Sequence, residues 1–150
     1  MKWSWRIGVL LALNAAAVAA VPLLLSGING RAQSFAPSLL GAATEDFGFL
    51  FLLIWAAIGA VVGLAQVRAL RQQPGWPGLV VATLPLIVLV GMSVWRLSQA
   101  TSDVAKAQGY YVYGAAGLAV MAMGIVALFA SGSVLVALWH DSRAVQDRAV

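Results

Sequence analysis

The chain has 150 residues, of which 62% are hydrophobic and 9% are charged, with nine lysines and arginines against five acidic residues. A soluble domain is about 45–50% apolar and about 25% charged, so a globule of this size could not bury so much apolar surface. The sequence contains no cysteine, which excludes disulfides, cysteine nucleophiles and iron–sulfur ligation.

Long apolar runs take up most of the chain and predict membrane spans at 7–25, 47–67, 79–96 and 112–139. A helix needs about 20 residues to cross the hydrocarbon layer. The third apolar run is slightly short and is extended by Arg96, whereas the fourth is long enough to tilt or protrude. None of the runs alternates polar and apolar residues, as the strands of a membrane barrel do. The sequence therefore predicts an all-α, integral membrane bundle of four transmembrane helices, forming one domain over residues 1–150.

Lysine and arginine placement predicts the orientation of the spans, because cytoplasmic loops carry an excess of these residues. The termini and the loop between spans two and three hold six of them: Lys2, Arg6, Arg68, Arg71, Arg143 and Arg148. The loops on the opposite side hold the other three: Arg31, Arg96 and Lys106. Both termini are therefore expected in the cytoplasm. The basic start and the small residues near Ala17 also fit a signal peptide, but we expect the first run to be a retained helix.

Small residues recur at helical spacing in three of the predicted spans. They are Ala12, Ala16 and Ala20 in the first span, Gly59 and Gly63 in the second, and Gly117, Gly124 and Ser131 in the fourth. Such residues let the backbones of membrane helices approach closely. We expect these faces to pack within the bundle, with docking against another subunit as the alternative.

Polar groups inside the predicted spans are few, and no Asp, Glu, Lys or Arg lies near the centre of any span. This counts against a carboxylate-driven antiporter, including the small multidrug transporters, which have a similar size and span number. Asn14 lies deep in the first span and is predicted to make an interhelical hydrogen bond. A ligand contact is the alternative.

Charged and titratable residues predict lipid contact at one end of the bundle and no catalytic, cofactor or metal site. Arg68 and Arg71 are three residues apart and share a helix side, which suits a lipid headgroup phosphate or the acidic edge of a partner. His140 is the only histidine, too few for zinc or for haem held by two histidines. The basic residues flank apolar runs, so we expect anionic lipid and other membrane subunits as partners, and no nucleic acid.

The expected function is that of a small non-catalytic accessory subunit in a larger bacterial inner-membrane complex of a respiratory, photosynthetic or transport kind. Helix packing and lipid contacts would be its contribution. The alternative is a homo-oligomeric transporter or channel for a neutral or lipid-like solute, lined by Asn14, Thr83, Ser93 and Ser131. A membrane enzyme is a third hypothesis, which would have to use the outer-loop acids Glu45, Asp46 and Asp103.

Overall fold

A computed structural model describes residues 5–29, 48–101 and 110–146. These residues form four α-helices: α1 (Trp5–Asn29), α2 (Gly48–Gln72), α3 (Trp76–Thr101) and α4 (Tyr110–Gln146). Each helix contains a segment long and apolar enough to cross a membrane, namely Trp5–Ser26, Gly48–Gln72, Trp76–Gln99 and Ala115–Arg143. The described part of the chain is therefore all-helical, with the candidate spans of a multi-pass membrane protein.

The helices are longer than the apolar runs from which they were predicted. α2 continues beyond Val67 to Gln72, because arginine, alanine, leucine and glutamine favour a helix whether or not they are apolar. α4 has 37 residues. At about 1.5 Å per residue it is about 55 Å long, whereas the hydrocarbon layer is about 30 Å thick. α4 is therefore longer than an upright span requires.

The connection between α2 and α3 is a short turn over residues 73–75. The last bond of α2 runs from the Gln73 amide to the Ala69 carbonyl, at 3.0 Å. Gly75 has a φ of 79°, which favours glycine, and α3 already begins at Trp76. Pro77 lies in the first turn of α3, where a helix lacks a partner for the amide in any case. This short turn makes α2 and α3 antiparallel, and the two helices are in contact.

α4 is the central helix of the bundle. It packs against each of the other three helices, most extensively against α2. Residues buried inside the chain make up 44% of the most apolar window of α4 but only 11% of that of α2. α2 therefore presents most of its surface, including Leu50, Leu53 and Ile54, to the surroundings of the bundle.

Three apolar clusters fill the interior. We call the end where α1 begins and α4 finishes the termini end. The cluster there draws on all four helices: Ile7, Leu10, Val67, Leu70, Leu79, Ala82 and Val134. A middle cluster contains Ala17, Leu86 and Ala127, and a third cluster near the opposite end is built on Ala116 and Val120. The clusters thus join α1, α3 and α4 from one end to the other, whereas α2 takes part only in the broad cluster at the termini end.

Arg6 ties the start of α1 to the end of α2. Its guanidinium nitrogen Nη1 donates to the carbonyl oxygens of Gln73 at 3.0 Å, Leu70 at 3.4 Å and Gly75 at 3.5 Å. The last carbonyls of a helix have no partner within the helix and carry its negative dipole end, so a cation stabilises them. The rings of Trp5 and Trp76 lie beside this cap, 4.9 Å apart between centroids.

Candidate functional site

Two carboxamides meet in the interior of the bundle. The Asn14 Nδ2 of α1 donates to the Gln66 Oε1 of α2 at 3.4 Å. Asn14 is 0% exposed and Gln66 is 1% exposed. The interhelical hydrogen bond expected of Asn14 is therefore present in the structure, and its partner is a second uncharged amide.

Each amide of the pair leaves one of its two polar atoms without a hydrogen-bond partner among the described residues. Asn14 Oδ1 and Gln66 Nε2 are buried, and neither has a hydrogen-bond partner in the part of the chain that the structure describes. One is an acceptor and the other a donor, so their chemistry is complementary. A buried polar group without a partner costs about 1–3 kcal/mol, which makes this pair the most expensive polar feature of the described core.

Hydroxyl groups lie at a similar depth to the amides. Asn14 lies between Leu10 of the termini-end cluster and Ala17 of the middle cluster. Thr83 on α3 and Ser131 on α4 also lie between residues of these two clusters. The bundle therefore has a polar level between two apolar clusters, to which each helix contributes one side chain.

The hydroxyls donate to backbone carbonyls. Thr83 Oγ1 donates to Val80 O at 2.9 Å, and Ser131 Oγ donates to Ala127 O at 2.9 Å. Ser93, nearer the opposite end, donates within α3 and also lies 3.3 Å from Ala119 O of α4. Each hydroxyl thus has an acceptor in the protein, although hydroxyl oxygens can still accept a hydrogen bond from a solute.

Gly59 and Gly63 lie where α2 and α4 approach most closely. A Cβ added to Gly63 would lie 2.6 Å from the Ala130 carbonyl oxygen. A Cβ added to Gly59 would lie 2.8 Å from the Phe129 Cβ. The structure thus places this predicted small-residue face inside the chain, against the central helix.

The small residues of α4 fall into two groups. Gly124 is buried, and a Cβ there would lie 2.5 Å from the Val21 Cγ2 of α1. Gly117 is only partly buried, and no described residue lies within 4 Å of the position of its Cβ. Gly124 therefore serves the packing of α1 on α4, whereas no close approach depends on Gly117.

The alanine face predicted on α1 points mostly outward. Ala12 and Ala16 are exposed and Ala20 is partly buried, whereas Asn14 and Ala17 face the interior. The further alanines 15 and 19 are also exposed. The small side chains of α1 therefore form a surface that the described part of this chain does not cover.

Arg71 is held by an acidic residue, whereas Arg68 is not. Arg71 Nη2 lies 2.8 Å from Asp141 Oδ2, and this ion pair joins α2 to α4 at the termini end. Arg68 is exposed and makes no hydrogen bond or ion pair with the described residues. The two arginines share a side of α2, as predicted, but they differ in their freedom to bind another group.

Gln66 is the main residue of the candidate site that was not predicted from the sequence. It stands near the end of the second apolar run, next to Val67 and Arg68, where a polar residue at the membrane surface is common. The spacing of Gln66 from other residues of α2 could have indicated that it faces the interior. Gln66 follows Gly63 by three residues and precedes Leu70 by four, which places all three on the buried face of α2.

Similarity to known proteins does not identify a function. No protein-family model matches the chain, and no curated protein or solved structure is significantly similar to it. Among residues 5–29, 48–101 and 110–146, no group of three His, Cys, Asp or Glu side chains could hold a metal ion. Glu45, Asp46 and Asp103, the acids on which an enzyme would depend, lie outside the described residues.

Proposed function

We propose that this chain is a small non-catalytic subunit of a larger complex in the bacterial inner membrane. The complex would be a respiratory, photosynthetic or transport assembly, to which the chain contributes helix packing and lipid contacts. The observation that carries the proposal is the small-residue face of α1 around Ala12 and Ala16, which the described residues leave exposed.

The contrast between α1 and α2 supports this proposal. The outward positions of α2 carry large side chains such as Leu53, Ile54 and Leu64, which suit contact with lipid tails. In the middle of α1 the outward positions 12, 15, 16 and 19 carry alanine, although Val9, Leu13 and Leu23 of the same helix are also exposed. Lipid contact does not require small side chains, whereas close approach of another helix does. The α1 face therefore suits a helix of a partner subunit.

Replacing Ala12 and Ala16 together by leucine is expected to remove the partner subunits. Overpacking costs about 1–3 kcal/mol, so the assembly recovered from native membranes should fall about tenfold or more. The control is Ala57→Leu with Ala65→Leu, which adds the same volume at exposed positions of α2. Native mass spectrometry after mild polymer extraction measures the assembly. Equal recovery with both pairs of substitutions would contradict the role of α1.

Both termini lie in the cytoplasm in this proposal. The support is the six-to-three distribution of lysine and arginine between the two sides, since positive residues are retained inside. A phosphatase or fluorescent-protein reporter fused after Val150 should report the cytoplasmic side. The same reporter inserted in the loop between α1 and α2 should report the opposite side. A periplasmic C-terminus would overturn the orientation.

A transporter or channel is the second candidate, favoured by the polar level around Asn14. Its uncharged amides and hydroxyls suit a neutral or lipid-like solute. Flux into liposomes that contain only this chain would support transport, and Asn14→Leu should then abolish flux. In an accessory subunit the same substitution affects stability alone. A native mass that includes other chains would favour the subunit, whereas a homo-oligomer with flux would favour the transporter.

A further inference from the structure

A shallow groove opens between α2 and α4 at the termini end. It has a volume of about 410 Å³ and is lined by Leu64, Val67, Arg68, Arg71, Gln72 and Ala137. The groove lies on the outside of the bundle, where Arg68 and Leu64 are exposed. Its lining belongs to two helices that are held together by the close packing at Gly63 on one side and by the Arg71–Asp141 ion pair on the other.

The polarity of the groove changes along its length. Residues four apart lie in one row on a helix, so Leu64, Arg68 and Gln72 form one row. Val67 and Arg71 form the neighbouring row. In both rows the apolar residue is nearer the membrane interior and the arginine is nearer the helix end. Ala137 of α4 completes the apolar part. The groove therefore has an apolar inner part and a cationic outer part.

The ion pair leaves one arginine available at the groove. Arg71 Nη2 is engaged by Asp141 at 2.8 Å, which fixes its guanidinium across the α2–α4 seam. Arg68 is exposed and has no such partner among the described residues. Arg143 at the same end lies 3.7 Å over the Trp139 ring. Counting only the described residues around the groove, Arg68, Arg71 and Arg143 outnumber the acidic Asp141, which leaves this surface positively charged.

We infer that the groove binds an anionic phospholipid, with the headgroup phosphate on Arg68 and an acyl chain along Leu64, Val67 and Ala137. A guanidinium pairs well with a phosphate, and the apolar inner part lies at the depth of acyl chains. The same groove would bind a zwitterionic lipid less well, because the surface carries excess positive charge. The inference adds a defined site to the lipid contacts of the proposed function, but it concerns the isolated chain and does not depend on any partner.

The test is native mass spectrometry of the delipidated full chain during titration with phosphatidylglycerol or phosphatidylcholine. We expect tighter binding of phosphatidylglycerol. Arg68→Gln should weaken it about fivefold, the factor for one arginine near a bilayer surface. Arg143→Gln, which removes an equal charge outside the groove, should weaken it less than twofold. Soluble glycerol phosphate should not compete, because it has no acyl chain.

Ala137→Leu tests the apolar part of the groove without changing the charge. It should weaken phosphatidylglycerol binding at least as much as Arg68→Gln, provided that thermal unfolding of the variant is unchanged. If the Ala137→Leu variant unfolds, the comparison of Arg68→Gln with Arg143→Gln alone tests the inference. Equal binding of the two lipids, equal effects of both arginine substitutions, or no effect in a folded Ala137→Leu variant would each overturn the inference. Such results leave the subunit proposal standing, since that proposal rests on α1.

Discussion

Gly63→Leu is expected to separate α2 from α4 and to remove more than about 3 kcal/mol of stability. A Cβ at this position would lie 2.6 Å from the Ala130 carbonyl oxygen and 2.6 Å from the Ser133 Cβ. The carbonyl belongs to the backbone of the central helix and cannot move aside as a flexible side chain can. The two helices must therefore shift apart, and the contacts on both sides of the glycine are lost.

The free energy of unfolding can be measured by titration with dodecyl sulfate in mixed micelles, followed by tryptophan fluorescence. The matched control is Gly132→Leu on α4, because Gly132 is exposed and none of the residues that the structure describes lies within 4 Å of the position of its Cβ. Gly63→Ala should fall between the two, at about 1–3 kcal/mol. If Gly63→Leu and Gly132→Leu had equal effects, the close α2–α4 packing would not contribute to stability.

Asn14→Leu is expected to destabilise the bundle by about 1–3 kcal/mol, because it leaves the Gln66 amide buried with no partner. Gln66→Met should have a similar effect, since it leaves Asn14 alone. The double variant removes the donors and acceptors together, including the Oδ1 and Nε2 atoms that have no partner in the described structure. Its stability should therefore equal that of the wild type or exceed it.

A double-mutant cycle in the same unfolding assay measures this coupling between α1 and α2. A coupling free energy of at least about 2 kcal/mol is expected, because two single losses of about 1–3 kcal/mol each disappear in the double variant. Thr83→Val is a control at a similar depth, since the Thr83 hydroxyl bonds only within α3 among the described contacts. Additive effects of the two amide substitutions would show that Asn14 and Gln66 do not act as a pair.

The helices could be predicted because membrane insertion depends on local composition. A stretch of about 20 apolar residues is sufficient to indicate a span, and each predicted span has a helix in the structure. The helix ends were less well predicted. Hydropathy falls at Arg68, whereas backbone hydrogen bonding continues to Gln73, since the two properties have different causes.

Some residues of the candidate site could be singled out from the sequence and others could not, for reasons visible at particular residues. Asn14 stood out because an amide in an apolar run needs a partner. The partner, Gln66, lies 52 residues away in the chain, so no local pattern connects the two. The ion pair of Arg71 with Asp141 and the cap formed by Arg6 also join distant segments. Neither interaction can be read from spacing within one helix.

The sequence by itself determined the class of protein, the number of candidate spans and the polarity of their flanks, because these depend on transfer of each segment from water to lipid. Only the tertiary structure decided which helix is central. The four candidate spans have almost equal mean hydropathies, between 2.2 and 2.4, yet α4 is the most buried and α2 the least. The reason is physical. Lipid and protein interiors are similarly apolar, so hydropathy does not distinguish a helix that faces lipid from one that faces other helices. The shapes of the helices do distinguish them. Gly59 and Gly63 allow a close approach of another helix, whereas no residue in the described part of the chain lies within 4 Å of the Cβ positions of Gly91 and Gly132.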